Sequence, residues 1–263
     1  MRFRYTSAAR SLYRSLLVLP VALAVSAQAE WKLLSAESEP GRPGIEHRHV
    51  VVEDAAVGQR VTFDVAVFSA KSAGLRLIDN PDGQSLATVM KQQKYACGVN
   101  GGYFDTEFKP IGLRVANAET FSSLRRARLI TGILVQSDQG IDVVRVSEFS
   151  RAKKILAAVQ SGPFLVEGNK RIRGLNDLQV ARRTFAGIGT NNHVFLGLCS
   201  DVTLAELANI LATVPIATDS KTRRAMNLDG GSSSAFWFAR EDGSAFSISG
   251  RKPVRDFVGL VSK

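Results

Sequence analysis

Two glycine doublets, each at the end of an apolar run, constrain this chain more than any other feature. The first lies in Val99-Asn100-Gly101-Gly102-Tyr103-Phe104-Asp105, the second in Met226-Asn227-Leu228-Asp229-Gly230-Gly231-Ser232-Ser233-Ser234-Ala235-Phe236-Trp237. Glycine has no Cβ, so such a turn can take positive φ and let a ligand lie against the backbone. Successive amides in a turn of this kind can cradle an anion, and Ser232, Ser233 and Ser234 add donors. Asp229 is expected at the lip of the resulting pocket. Two turns of one design, far apart in sequence, are expected to form two walls of one site.

The first 29 residues belong to a different problem. Arg2, Arg4, Arg10 and Arg14 precede an apolar run over 16–25, and Ala27-Gln28-Ala29 has the small-x-small form of a cleavage site. That layout predicts an export signal at 1–29 and not a membrane span, which needs ~20 apolar residues. The chain is therefore expected to act in the periplasm or outside the cell, with no stable span. The signal's four arginines come without acids, so its loss lowers the net charge from +10 to +6. The remaining charge is scattered and forms no basic stripe interleaved with aromatics, which argues against nucleic acid. Local arginines suit an anionic small molecule or polymer better.

Cys97 and Cys199 both fall in apolar, strand-like runs. In an oxidising compartment they can pair, whereas a buried free thiol serves equally well as a small hydrophobe. His47, His49 and His193 do not have zinc-ligand spacing, and His47 and His49 are read as one solvated strand face.

The pattern predicts an α+β domain, with mixed β-sheets and a few flanking helices. Residues 30–59 form an N-terminal extension with a first strand, and 60–263 form the main domain. Residues 31–44 read as irregular. Val61, Phe63, Val65 and Val67 alternate onto one strand face. Helices are expected at 85–93 with Ser85 as N-cap, at 148–159, and at 201–213, where Thr203 and Glu206 make a capping box. Hairpins are expected at 131–146, 185–199 and 235–249, with a last strand at 254–261. Arg114 reads as a residue near the first glycine turn or as a surface arginine on a strand edge. Residues 116–128 read as a mobile loop over the site.

The polar candidates gather at glycine turns: Asn100, Tyr103, Asp105, Gln160, Ser161, Arg183, Thr184, Asn227, Asp229 and Ser232. A serine nucleophile is disfavoured because Gly230-Gly231-Ser232-Ser233-Ser234 lacks the second glycine of the G-x-S-x-G elbow. The order Asn100-Gly101-Gly102-Tyr103-Phe104, Gln160-Ser161-Gly162-Pro163, Arg183-Thr184 and Asn227-Leu228-Asp229-Gly230-Gly231 resembles the phosphodiester glycosidase family, over about 60–262. One departure is Ser232, where members of the family often have a third glycine.

The resemblance implies cleavage between a sugar's anomeric carbon and a phosphodiester, giving free sugar and a phosphate monoester. A phosphate leaving group needs little protonation, so charge neutralisation and one carboxylate matter most. Arg183 suits the phosphate, assisted by the Gly230, Gly231 and Ser232 amides. Asp229 suits the anomeric centre, as base for water or as a stabilising charge, with Asp105 or Glu107 as a second carboxylate. Asn100, Gly101, Gly102, Tyr103, Gln160, Ser161, Thr184 and Asn227 are the expected substrate contacts. This chemistry requires no cofactor, while calcium bound by loop oxygens would leave no sequence signature. Two rival readings are a non-catalytic glycan-binding protein on the same scaffold and an enzyme that breaks the P–O bond instead.

Overall fold

The computed structural model describes Met1 and residues 30–150 and 154–263. Apart from Met1, the expected export signal lies outside the described residues. In chain order the strands and helices begin with β1 (Trp31–Pro40), β2 (Ile45–Asp54), β3 (Arg60–Phe68), β4 (Ala73–Asp79), α1 (Leu86–Gln92) and β5 (Cys97–Asn100). The middle of the chain supplies β6 (Arg114–Ala116), β7 (Glu119–Ser122), β8 (Gly132–Ser137), β9 (Gly140–Arg145), β10 (Ile155–Ser161), β11 (Phe164–Glu167) and β12 (Lys170–Arg171). The last part comprises β13 (Ala181–Gly189), β14 (Val194–Val202), α2 (Leu204–Thr213), β15 (Thr222–Asn227), β16 (Phe236–Ala239), β17 (Ala245–Ile248) and β18 (Asp256–Ser262).

These strands build three sheets, and every pairing between strands is antiparallel. The large sheet runs β1-β2-β3-β14-β13-β15-β11-β12; the two smaller ones run β7-β6-β10-β8-β9 and β17-β16-β5-β18-β4. The α+β expectation thus holds only in part, since the described residues are mostly β, with two α-helices among them on outer faces. No helix among the described residues is long and apolar enough to cross a membrane.

The layering follows from side-chain alternation. Ala66, Phe68, Ala186, Leu196 and Met226 point from the large sheet into one core with Leu75, Val99, Leu134, Val159, Phe236 and Val258 of the smaller sheets. On the opposite face, Val61, Phe63, Val65 and Val67 do share one side, and α2 covers it with Leu207, Ile210 and Leu211. Burying each of those three is worth about 1.5–3 kcal/mol, more than the ~1 kcal/mol of a good cap. Packing holds α2, while the Thr203–Glu206 capping box sets where it starts. Similarly, α1 starts at Ser85 and covers the sheet of β16, β5 and β18 with Leu86, Val89 and Met90.

Several expectations need correction. Residues 31–40 are not irregular: they form β1, paired along its length with β2. As an edge strand exposed on both faces it has no apolar alternation to read. Both β1 and β2 lie in the large sheet, so most of 30–59 is structural sheet and not a mere extension. The helix expected at 148–159 is absent over its described part, where Ile155–Ser161 is β10, buried between β6 and β8; residues 151–153 lie outside the described residues. The expected loop over 116–128 begins as the β6–β7 hairpin.

The histidine face is only partly solvated: His49 is partly exposed and His47 is buried. His47 is 3% exposed, stacks on Phe246, and places Nδ1 2.7 Å from Glu39 and Nε2 3.0 Å from Asp64, while His49 Nδ1 is 2.9 Å from the same Asp64 oxygen. Cys97 and Cys199 are both free and buried. Cys97 points into the inner core and Cys199 into the layer beneath α2, so the large sheet's two faces separate them. Burial pushes both thiols well above the usual range.

Candidate active site

The structure brings the two glycine turns together. β5 and β15 end side by side: the Asp229 amide donates to the Gly101 carbonyl at 3.0 Å, and Asn100 Nδ2 donates to the Asp229 carbonyl at 2.7 Å. The side chain of the fully buried Asn100 is turned to the frame. Its Oδ1 accepts from Thr184 Oγ1 at 2.7 Å and from the Ala235 amide at 3.0 Å. Asn100 and Thr184, expected as substrate contacts, are the internal tie between strands β5 and β13 and the Asp229 turn.

Beneath the first turn lies an ion pair that the sequence did not reveal. Arg114 is completely buried, not a surface arginine, and its Nε donates to Asp256 Oδ2 at 2.7 Å. Its other donors reach the carbonyls of Tyr103, Ile111, Leu113 and Gln160. Asp256 Oδ1 accepts the Gly102 amide at 2.9 Å. A Cβ on Gly101 would lie 1.8 Å from Asp256 Oδ1, and one on Gly102 would lie 2.2 Å from Arg114 Nη2. These glycines therefore make room for the buried pair and not for a ligand. The second turn differs: Gly231 has φ +65° and its Cβ direction is open to 4 Å. That is the turn a ligand can approach.

Asp229 sits on this open turn. Its Oδ1 accepts the Gly230 amide at 3.0 Å, and Ser233 Oγ donates to Oδ2 at 2.5 Å. Burial raises its pKa above the ordinary aspartate value, against the opposing pull of the Ser233 hydroxyl and the Lys252 charge. Tyr103 forms the neighbouring wall. Its hydroxyl donates to the Gly162 carbonyl at 2.7 Å and lies 3.1 Å from Asn227 Nδ2. Its pKa is pushed up to about 12, first by burial and then by the Asp229 charge. Asn227 also donates to Gly162, while its buried Oδ1 has no partner.

Arg183 lies across the turn. Its Nε donates to the Val202 carbonyl at 3.0 Å and its Nη2 to Gln179, leaving Nη1 3.7 Å from the Cβ position of Gly230. Burial lowers its pKa, which the thiol of Cys199 and the hydroxyl of Tyr103 partly offset. Asp229, Tyr103, Arg183 and the Gly231 amide thus line one patch, with the Gly230 amide turned inward onto Asp229.

The remaining candidates fall elsewhere or serve the frame. Gln160 is fully buried, and its side chain holds the Leu113 and Arg125 amides and the Arg125 and Ile130 carbonyls. Ser161 is buried too, with an unpartnered hydroxyl. Asp105 is exposed in a turn, its Oδ1 accepting the Glu107 and Lys109 amides, and Glu107 pairs with Lys109. Ser232 is exposed at the open turn, whereas Ser233 and Ser234 are buried, Ser234 bonding to the Arg182 carbonyl. The sequence reading of Arg114 as a residue near the first glycine turn holds, but its burial and its partner Asp256 were missed, as was Lys252 in the site's field. Asp256 left one faint signal: an acid entering the apolar run that becomes β18.

A family model described as phosphodiester glycosidase matches residues 93–261. A curated relative, the uncharacterized protein YigE of Escherichia coli (strain K12), is 27% identical over 115 residues, 41% of this chain and 45% of the relative, so the match spans under half of that protein. Among solved structures, the catalytic domain of zebrafish N-acetylglucosamine-1-phosphodiester alpha-N-acetylglucosaminidase, auto-inhibited by its pro-peptide, superposes with TM-score 0.63 at 14% identity, covering 89% of this chain and 88% of that one. A hypothetical protein from Synechocystis superposes with TM-score 0.61 at 13% identity, over 87% of this chain and 64% of its own. At such identities these two likenesses concern the fold, whereas the family model spans both glycine turns, Gln160, Arg183 and Asp229. The chain belongs to the phosphodiester glycosidase family.

Proposed function

We propose that the protein is an exported hydrolase that cleaves a sugar-1-phosphodiester at the anomeric carbon–oxygen bond, releasing free sugar and a phosphate monoester. The observation that supports this best is Asp229: a largely buried carboxylate of raised pKa, on the glycine doublet with open space, beside Tyr103, which also feels the Arg183 charge. A base with a raised pKa takes a proton from water more readily than an ordinary aspartate. The water oxygen bonds to the anomeric carbon, its proton passes to Asp229, and the bonding electrons leave with the phosphate. Arg183 Nη1 and the Gly231 amide neutralise the charge that grows on the departing phosphate, while the Gly230 amide stays bonded to Asp229. Tyr103 forms the wall beside the sugar, and exposed Ser232 offers a donor at the rim. Asn100, Thr184 and Gln160 act by positioning these groups. Asp105, held in an exposed turn, is the second carboxylate to test.

The test is Asp229→Asn, assayed on glycosyl-1-phosphodiesters. A fall in turnover of 10²–10⁴-fold with substrate affinity retained supports the base role. Wild-type turnover in the folded variant refutes it. Export rests on the arginine-led apolar segment and Ala27-Gln28-Ala29, and N-terminal sequencing of the mature protein would find Glu30 first.

A further inference from the structure

Beside the active-site turn lies a hollow of about 280 Å³. Buried Leu86, Ala235 and Phe257 line it, together with exposed Arg251 and Lys252; its lining includes four serines and no carboxylate. It adjoins the site through Ser233, the residue whose hydroxyl holds Asp229. The Arg251 amide donates to the Ser232 carbonyl at 2.7 Å, which fixes this arginine to the same turn. Lys252 Nζ stands 4.9 Å from the Phe104 ring centroid, and its charge reaches Asp229.

A third cation borders the hollow. Arg182 Nη1 and Nη2 reach the Ser249 carbonyl only at 3.4 Å, and its buried Nε has no partner. Burial lowers the Arg182 pKa, and the like charge of Arg251 adds to that, with Asp201 opposing. Among the described residues none of these three cations has a carboxylate within salt-bridge distance, although Arg145, Arg224, Arg240 and Arg255 all do. Three cations without a carboxylate at salt-bridge distance, set around one concave wall whose lining holds no acid, concentrate positive potential there and favour an anion.

We propose that Arg182, Arg251 and Lys252 form an anion subsite that holds a second negatively charged group, a phosphate or a carboxylate, on the leaving side of the substrate. This rests on the glycosidase reading and narrows it: the preferred substrate is a glycosyl phosphodiester whose leaving portion is itself anionic, as in a charged polymer. The apolar floor receives the carbon skeleton between the two anions.

The experiment is calorimetric titration of the whole protein with a propanediol bisphosphate and with propyl phosphate. The bisphosphate is expected to bind about tenfold more tightly, the worth of one added charge-assisted contact, and the advantage is expected to shrink as salt rises. In Arg251→Ala and in Arg182→Ala the ratio is expected to fall towards one. Arg251 is exposed, so its variant is expected to fold, and circular dichroism checks this. An equal affinity for both probes, or a ratio that survives both substitutions, overturns the proposal. Turnover is not part of the readout. A protein that discriminates the probes but cleaves nothing keeps the subsite and loses the glycosidase reading; one that cleaves without discriminating does the reverse.

Discussion

Removing the Asp256 carboxylate tests how the site is held. In Asp256→Ala, Arg114 stays completely buried and loses its only carboxylate, while the Gly102 amide loses its acceptor. Breaking a buried pair by deleting one partner costs about 3–5 kcal/mol, and an orphaned buried donor adds about 1–3 kcal/mol. The two overlap, so a loss of about 4 kcal/mol is expected, a large part of the 5–15 kcal/mol typical of a domain. Asp256→Asn keeps an acceptor near Gly102 and should lose less. In the double variant Arg114→Met/Asp256→Ala no buried charge is stranded, so its loss should be well below the sum of the single losses. Urea unfolding at fixed pH, with unchanged slope, gives the values. A loss below about 1 kcal/mol in Asp256→Ala, or simple additivity in the double variant, would refute the claim that this pair supports the first glycine turn.

Other outcomes follow from the same geometry. Gly101→Ala meets Asp256 Oδ1 at 1.8 Å and should fail to accumulate as folded protein, whereas Gly231→Ala, with open space but φ +65°, should fold at a cost of about 1–2 kcal/mol in thermal melts. The raised pKa of Asp229 places the acid limb of kcat/KM above the ordinary aspartate value of 3.8, with activity falling as pH drops through it. Lys252 lowers that pKa, so Lys252→Ala should move the limb further towards higher pH; a limb that does not move would contradict the assignment. The sign for stability is the reverse of a salt-bridged acid: ionised Asp229 is disfavoured by folding, so Asp229→Asn should be neutral or slightly stabilising above the folded pKa, as urea unfolding would show. Tyr103→Phe removes the bond to Gly162, while Asn227 Nδ2 keeps the Gly162 and Leu228 carbonyls, so a loss of about 1 kcal/mol is expected in urea unfolding.

Local chemistry made some of this legible in the sequence. The caps of α1 and α2, the alternation in β3 and the three hairpins each depend on residues close together in the chain. The meeting of the two glycine turns was also legible, because both carry the same strand–Asn–Gly–Gly design. What lay hidden depends on distant partners. Arg114 and Asp256 are separated by 142 positions, so neither residue signals the other. Gln160 and Asn100 have the donors and acceptors of sugar-binding residues, and only the fold shows those groups engaged by backbone and, for Asn100, by Thr184. The segment that becomes β10 places Ile155, Leu156 and Val159 at helical spacing, and its burial between two strands overrides that pattern. In β1 the polar run of an exposed edge gives no periodicity at all.

The most direct test of the central claim is hydrolysis of a glycosyl-1-phosphodiester in isotopically labelled water by the wild-type protein and by Asp229→Asn. The account predicts label in the released sugar and none in the phosphate, with turnover lost in the variant. Label in the phosphate, or equal turnover by the two proteins, would contradict it.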